Sequence, residues 1–448
     1  MLFCKQAVCP KSGHEPFPDA YIDTIVCIGE KKAIYTRSYN YVTGKVKTKR
    51  FGIHDNSEQI FASGFDYQEV DTSIWIQDNS RRLLTEVSTP KTLLQQKVKM
   101  ASVEGSKILD VDRGITPIIP LSSDSYPNTA KAFVGDFERY VFSDLTLSVK
   151  YDKTLAEYTP PNYFQETGII IRRIISRQQR IIAALNDKGY VFNKSYLIAL
   201  CLPQVGYSPY YVLSIIASRL QSRLFIWTSE VAKRDDFPQL DIQTIRNIAI
   251  RRITFTTPPD ERTRLLAKAK NLYTYCMTKD DQTCVTGFVE HHLAQQPEES
   301  DVVHDLLAFL AEEMIRLNKE KRAATKAFLD WLVATLNILP DKEGRIGIDV
   351  LTGKSRLTDY PGDYQKGQPA LAFGELLEIL QKNKSKLGVK LVEGSSLLGE
   401  MRGRYEESLE QVLPLKEQLS KTDRLIDAVV YRLYGLTEDE IKIVEGKA

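Results

Sequence analysis

The spacing of the apolar residues changes near Pro259, and this change constrains the fold more than any other feature of the sequence. Before it, the chain carries short β-type runs, such as the isoleucine-rich residues 169–175, with helical spacing expected only at 80–100 and 211–227. After it, apolar residues recur at helical spacing in residues 305–321, 327–339, 406–419 and 423–433. We therefore predict an α+β protein, in which a mixed α/β region is followed by a mostly α-helical C-terminal region.

Length and composition are those of a folded protein with several domains. The chain has 448 residues, of which 43% are hydrophobic and 26% charged, and a chain of this length is expected to form about two to four domains. We predict three parts: a β-rich segment at residues 1–105, a mixed α/β domain at 106–258 and a helical domain at 259–448.

The charge of the chain is unevenly distributed, although its net value is only +2. Residues 165–255 carry thirteen Lys or Arg against six Asp or Glu, whereas residues 406–448 carry ten acids and six bases. This asymmetry favours a polyanion-binding module attached to an acidic scaffold. Charge alone leaves open the alternative that basic residues merely cluster on solvated faces.

The sequence contains no complete catalytic motif. A methyltransferase that acts on an exocyclic amine needs a [DNS]-Pro-Pro-[YFW] corner, in which oxygens accept from the amine and the ring stacks on the flipped base. Both Pro-Pro pairs, at residues 159–162 (TPPN) and 257–260 (TPPD), lack the acceptor and the ring, so we interpret them as turns in loops. Asp19, Glu30 and Lys32 fit the pattern of a metal-dependent nuclease, but this short pattern is common by chance and we predict no catalytic residue from it.

The cysteines and histidines give no metal site. The six cysteines include no C-x-x-C pair, and none of the five histidines stands at zinc-ligand spacing from them. We therefore expect reduced thiols and neither a metal nor a cofactor in this chain. It has neither a secretory leader nor an apolar run approaching the ~18 residues of a membrane span, so we expect a cytoplasmic protein.

Two segments are candidates for contacts with nucleic acid. Residues 31–50 contain seven Lys or Arg, no acid and three tyrosines, which suits either phosphate contacts or a lysine-protected edge hairpin. In the second segment, Arg172 and Arg173 follow three isoleucines, so in a strand their side chains point to opposite faces. One of them can contact guanine or a phosphate, while the other has a structural role.

Five segments of the mixed region together resemble a known recognition domain. They are residues 109–117 (LDVDRGITP), 131–140 (KAFVGDFERY), 151–157 (YDKTLAE), 170–174 (IIRRI) and 189–195 (GYVFNKS). They resemble the target-recognition domain of TaqI-like adenine methyltransferases and type IIG restriction–modification enzymes. Residues 301–321 and 422–446 are similar to the helical segment and the closing signature of that family, so the resemblance extends over about residues 106–448.

The resemblance implies a DNA-binding function. In the family this part enters the DNA groove, which implies DNA contacts at Arg113, Arg172, Arg173 and Lys194. Four neighbouring residues complete the predicted DNA-binding set: Arg177, Arg180, Asn193 and Ser195.

The resemblance also implies the partners. The chain would be the specificity part of an adenine-N6 DNA methyltransferase, with double-stranded DNA and a methyltransferase module, and in some members a nuclease, as partners. S-adenosylmethionine would bind in the catalytic domain, which family members carry upstream and this chain lacks. Residues 1–105 are then interpreted as the last strands of that domain.

Three alternatives stay open from the sequence. The chain could be a metal-dependent nuclease subunit that uses Asp19, Glu30 and Lys32. It could be a non-catalytic assembly subunit of a restriction system, built on its helical tail. It could also be a truncated and inactive remnant.

Overall fold

The structure is a computed structural model that describes residues 45–48, 68–71, 89–122, 127–135, 137–143, 146–175, 179–229 and 239–447. The chain divides into two compact units, Met1–Gln96 and Lys97–Ala448. Strands and helices are both present, with the strands concentrated around residues 100–250 and helices after them. The predicted α+β fold class is confirmed.

The first unit has one described strand pair. Strand β1 (Lys45–Thr48) pairs antiparallel with β2 (Gln68–Asp71), which confirms the β-type character expected for the residues after Gly44. Helix α1 (Thr89–Met100) begins in this unit, and Pro90 stands in its first turn, where a missing N–H costs nothing. The nuclease candidates Asp19, Glu30 and Lys32 lie outside the described residues.

The second unit contains a four-stranded antiparallel sheet in the order β10-β9-β11-β4. Its strands are β4 (Leu109–Arg113), β9 (Gly168–Arg172), β10 (Ala183–Asn186) and β11 (Tyr196–Cys201). β9 is almost wholly buried, as the uninterrupted apolar run predicted, and β10 is buried as well. Three two-stranded pairs accompany the sheet: β3 (Ser102–Glu104) with β12 (Ala249–Arg251), β5 (Thr129–Phe133) with β8 (Thr146–Lys150), and β6 (Phe137–Glu138) with β7 (Val141–Phe142).

Short helices surround this sheet. They are α2 (Asn162–Gln165), α3 (Pro209–Ala217), α4 (Arg219–Thr228) and α5 (Ile242–Arg246). The single helix predicted at residues 211–227 is thus two helices, because Ser218 leaves the helical conformation and caps α4 through its side chain. The residues Tyr211–Ala217 of α3 are all buried, since α3 packs against the sheet and against a long C-terminal helix.

The C-terminal part is helical, as predicted. Its helices are α6 (Pro259–Lys279), α7 (Thr283–Leu293), α8 (Ser300–Thr335), α9 (Lys354–Thr358), α10 (Phe373–Lys382), α11 (Ser396–Leu433) and α12 (Glu438–Glu445). The pairs of helices predicted at 305–339 and 406–433 are in fact the single helices α8 and α11, which pack against each other. α11 continues through Pro414. The capping box predicted for Thr437 and Glu440 is confirmed at the start of α12.

Two hydrophobic clusters can be described among the buried residues that the structure places in the second unit. One lies in the strand-rich region and includes Ile115, Phe192 and Ile198, and the other joins the end of α8 to α10 and α11. Among the described residues, no helix has both the length and the apolar content needed to cross a bilayer.

Candidate nucleic-acid interface

Most of the predicted DNA-binding residues meet at one end of the four-stranded sheet. β11 pairs with β9 so that Tyr196 lies opposite Arg172, and with β4 so that Leu197 lies opposite Arg113. The last residues of β4 and β9 therefore lie beside the first residues of β11, next to the turn that precedes it. We call this part of the fold the sheet end and define it by Arg113, Arg172, Arg173, Asn193, Lys194 and Ser195.

Gly114 allows the chain to pass close beneath the turn at residues 193–195. Its N–H donates to the carbonyl of Tyr196 at 3.0 Å, and the N–H of Ile115 donates to the carbonyl of Phe192 at 2.8 Å. A Cβ on Gly114 would lie 2.1 Å from the carbonyl oxygen of Asn193. Only glycine fits such a close approach of two backbones, so this residue sets the position of Arg113 relative to the turn.

The turn itself is held by the side chain of Asn193. Its Oδ1 accepts from the backbone N–H of Ser195 at 2.9 Å, which is an Asx turn. Asn193, Lys194 and Ser195 are all exposed, and Lys194 occupies the tip. Since Oδ1 of Asn193 is engaged in the turn, a bidentate contact of this side chain with adenine would require the turn to open.

Arg173 connects the sheet end to the segment at residues 239–240. Its guanidinium is therefore not free to bind a ligand. Its guanidinium donates to the carbonyls of Leu240 and Lys194 and to Oε1 of Gln239, each at 3.3 Å. Its backbone N–H donates to the carbonyl of Ser195 at 3.0 Å. Of the two adjacent arginines, Arg173 thus has the structural role that was predicted for one of them.

Arg172 is half-buried beside Tyr196. Burial raises the pKa of the Tyr196 hydroxyl, and the positive charge of Arg172 partly offsets that rise. The rings of Tyr196 and Phe137 are 4.9 Å apart, so Tyr196 joins Arg172 to the aromatic core of the region.

Arg113 lies on β4, on the side of β11 away from β9 and Arg172, and its side chain is exposed. Its side chain is 48% exposed and lies 3.6 Å from Oε1 of Glu157, a separation at which a surface ion pair contributes little. The hydroxyl of Thr159 donates to the carbonyl of Arg113 at 2.6 Å. The Thr-Pro-Pro segment is therefore a structural support for the end of β4, consistent with its interpretation as a turn.

Arg180 must be removed from the predicted DNA-binding set. It is only 6% exposed, and its guanidinium donates to Oδ2 of Asp427 and to the carbonyl of Ala217, both at 3.0 Å. The charge is directed into the interior, where Asp427 of α11 neutralises it, and a duplex cannot reach it. Arg177 lies outside the described residues.

Arg139 is a further arginine with a structural role, and the sequence pattern did not single it out. This residue, at the turn between β6 and β7, is 2% exposed and pairs through two hydrogen bonds with Asp423 of α11. Arg139 and Asp423 lie in two of the segments that carried the family resemblance, residues 131–140 and 422–446. Nothing in the local pattern of either segment indicated that they pair.

The histidines and acids of the described residues provide no metal centre. No group of three or more His, Cys, Asp or Glu side chains there is placed to hold an ion. His304 is buried and its Nε2 accepts from the backbone N–H of Ser208, the capping residue of α3. His292 pairs with Glu299.

Comparison with known proteins gives the same assignment for the strand-rich region. Residues 141–250 match the family described as the TaqI-like C-terminal specificity domain. An 82-residue segment is 34% identical to a Methanocaldococcus jannaschii protein provisionally named a type II restriction enzyme and methyltransferase. The matched segment is 18% of this chain and 7% of that relative, so the chain spans a small part of the relative's length. The resemblance identified from the sequence is confirmed for the specificity region.

Proposed function

We propose that this chain is the DNA-recognition part of a restriction–modification system of the adenine-N6-methylating type. The observation that carries the proposal is the sheet end, where strand pairing brings the backbone positions of six of the eight predicted DNA-binding residues together. Five of these six lie within the segment that matches the specificity domain. That match supports the assignment of the sheet end to DNA recognition.

The residues of the sheet end differ in the contacts they can make. Lys194, exposed at the tip of its turn, is suited to a phosphate, for which a flexible point charge is sufficient. Arg172 and Arg113 carry planar guanidinium groups that can bind O6 and N7 of guanine in the major groove. Arg173 holds the turn in place, and Ser195 can donate to a phosphate or a base edge.

The remaining partners follow from the same proposal. The methyl group would come from S-adenosylmethionine bound in a methyltransferase module outside this chain, and a nuclease module could join the same assembly. We place these reactions in the cytoplasm, because the DNA on which they would act lies there. Within this chain the proposed role is binding alone: phosphate neutralisation, base reading and positioning of the duplex.

Selection of a randomised duplex pool on the purified full chain tests this proposal. We expect one short motif to be recovered, to lose its preference at one base pair with Arg172→Ala, and to be retained in full with the control Arg264→Ala. Arg264 is an exposed arginine of α6 whose side chain is 76% exposed. Recovery of no motif and no duplex binding would reject the proposal and favour the assembly role.

Binding without a motif would have a different meaning. If affinity fell steeply with salt while all sequences were recovered equally, the sheet end would contact phosphates only. Sequence reading would then depend on the methyltransferase module. Metal-dependent cleavage of the duplex by the chain alone would instead favour the nuclease hypothesis at Asp19, Glu30 and Lys32.

A further inference from the structure

Two cysteines meet at the corner between α6 and α7, far from the sheet end in sequence. Cys276 is in the last turn of α6 and Cys284 is the second residue of α7. The chain reverses between them at Asp280, whose φ of 54° is in the left-handed region. The two Sγ atoms are 3.6 Å apart, so the thiols are in van der Waals contact.

The two thiols differ in their access to solvent. Cys276 is 1% exposed, whereas Cys284 is half-buried. Both thiols are directed at the carbonyl oxygen of Asp281. Burial, followed by the neighbouring Cys284, raises the pKa of the Cys276 thiol to about 12, which keeps it protonated and unreactive until a reaction occurs beside it.

We propose that Cys276 and Cys284 form a thiol–disulfide exchange site, at which a small disulfide such as oxidised glutathione converts the pair into an intramolecular disulfide. Cys284, the accessible residue, loses its proton to water and attacks one sulfur of the reagent as a thiolate, and one glutathione thiolate leaves and takes up a proton from water. Cys276 then passes its proton to water and attacks the sulfur of Cys284, which releases the second glutathione. Two protein thiols are oxidised, and one glutathione disulfide is reduced to two thiols.

The required movement is small. A disulfide bond is about 2.05 Å long, so the two sulfurs must approach by roughly 1.5 Å from their present contact. Both residues stand at helix ends beside a turn, where side-chain rotation and a slight shift of the turn can supply this movement. The third cysteine of the second unit is Cys201. It is a half-buried free thiol in β11 and serves as a reference.

Formation of the disulfide would affect how the corner between α6 and α7 packs on α11. The hydroxyl of Tyr273 lies 2.9 Å from Oγ1 of Thr422, and the side chain of Gln282 donates to the carbonyl of Lys421 at 3.5 Å. A disulfide between Cys276 and Cys284 would fix the turn that carries Gln282 relative to the end of α6 that carries Tyr273. Because cross-linking restricts the unfolded chain, we expect thermal unfolding of the oxidised protein to shift upward by a few degrees.

The test uses the full chain exposed to oxidised glutathione under native conditions, followed by unfolding, alkylation of remaining thiols and mass spectrometry. We expect a cross-linked peptide pair containing Cys276 and Cys284, with neither residue alkylated. Cys276→Ala should trap the mixed disulfide of glutathione on Cys284. The control Cys201→Ser should form the bridge at the same rate as the unmodified chain.

Several outcomes would overturn the proposal. Full alkylation of both cysteines after native oxidation would show that they do not react with each other. Formation of the same bridge only after the protein has been unfolded would show that the native corner does not favour it. If Cys276→Ala fails to fold, Cys284→Ser gives the complementary test, because it should abolish both the mixed disulfide and the bridge at this corner.

Discussion

Arg139 donates two hydrogen bonds to Asp423, from Nη1 to Oδ1 at 2.9 Å and from Nη2 to Oδ2 at 2.6 Å. The two residues are 284 positions apart in the sequence, and their side chains are 1% and 13% exposed. Arg180 lies 3.6 Å from the same carboxylate and pairs with Asp427, one helical turn further along α11. The strand-rich region is thus joined to α11 through buried charges, in addition to apolar packing.

Asp423→Ala should strongly destabilise the second unit. The variant leaves Arg139 buried without its carboxylate, and removing one partner of a buried ion pair costs about 3–5 kcal/mol. Urea unfolding followed by circular dichroism measures this loss. The control Glu407→Ala removes an exposed acid of the same helix, paired with Arg404, and should change the stability by less than about 1 kcal/mol; equal effects of the two variants would contradict the prediction.

The Asp423 pair should also make stability depend on pH at the acidic end. Burial by itself would raise the pKa of Asp423, but Arg139 and Arg180 hold it below its ordinary value. A carboxyl with a lowered folded pKa contributes stability above its unfolded pKa and loses this contribution as the pH falls through the folded value. We therefore expect the stability difference between the unmodified chain and Asp423→Asn to narrow between about pH 5 and about pH 2. A difference that stays constant over that range would exclude a titrating role for this residue.

Gly114→Ala should disrupt the sheet end. The new Cβ would collide with the backbone carbonyl of Asn193, and forcing an extra carbon into a packed site costs about 1–3 kcal/mol. Gly287→Ala is the matched control, because nothing lies within 4 Å of its added Cβ in α7. That second variant should stabilise the protein by about 0.5–1 kcal/mol, since alanine is the better helix former. Thermal unfolding compares the two, and an unchanged midpoint for Gly114→Ala would refute the close approach.

Lys194→Ala should weaken duplex binding in a way that depends on salt and not on sequence. If Lys194 neutralises one phosphate, its removal should lower the slope of log affinity against log salt by about 1. Fluorescence anisotropy with a labelled duplex over a series of salt concentrations measures this slope. Lys326→Ala, an exposed lysine of α8 with 72% exposure, should leave it unchanged. An unaltered slope for Lys194→Ala would place the phosphate contact elsewhere.

Arg172→Ala should change specificity rather than the salt dependence. Loss of a bidentate contact with guanine costs about 1–3 kcal/mol at one base pair and relaxes the preference there. Competition between the selected duplex and single-base variants measures this effect. Arg173→Ala, which breaks the bonds to Leu240 and Lys194, should instead lower affinity for all sequences together with stability. The same pattern from both variants would contradict the separate roles of the two arginines.

Sequence periodicity predicted the local structure well where burial is regular. The apolar run at residues 169–175 became the buried strand β9, and the helical spacing after residue 300 became α8. The number of helices was predicted less well, because the apolar spacing indicated a break between residues 419 and 423 that α11 does not make. At residues 209–228 the opposite error occurred, since the local conformation of Ser218 interrupts an otherwise continuous apolar pattern.

The sequence by itself determined the α+β class, the strand that ends at Arg172, and the resemblance to a specificity domain. Only the tertiary structure decided which arginines reach the surface. Arg172 and Arg180 are the same type of residue eight positions apart, yet one lies at the sheet end and the other is buried against Asp427. The physical reason is that periodicity reports local burial, whereas the partner of a charge is set by contacts between residues hundreds of positions apart. Arg139 and Asp423 show the same limit, because neither segment contains the information that the other will neutralise its charge.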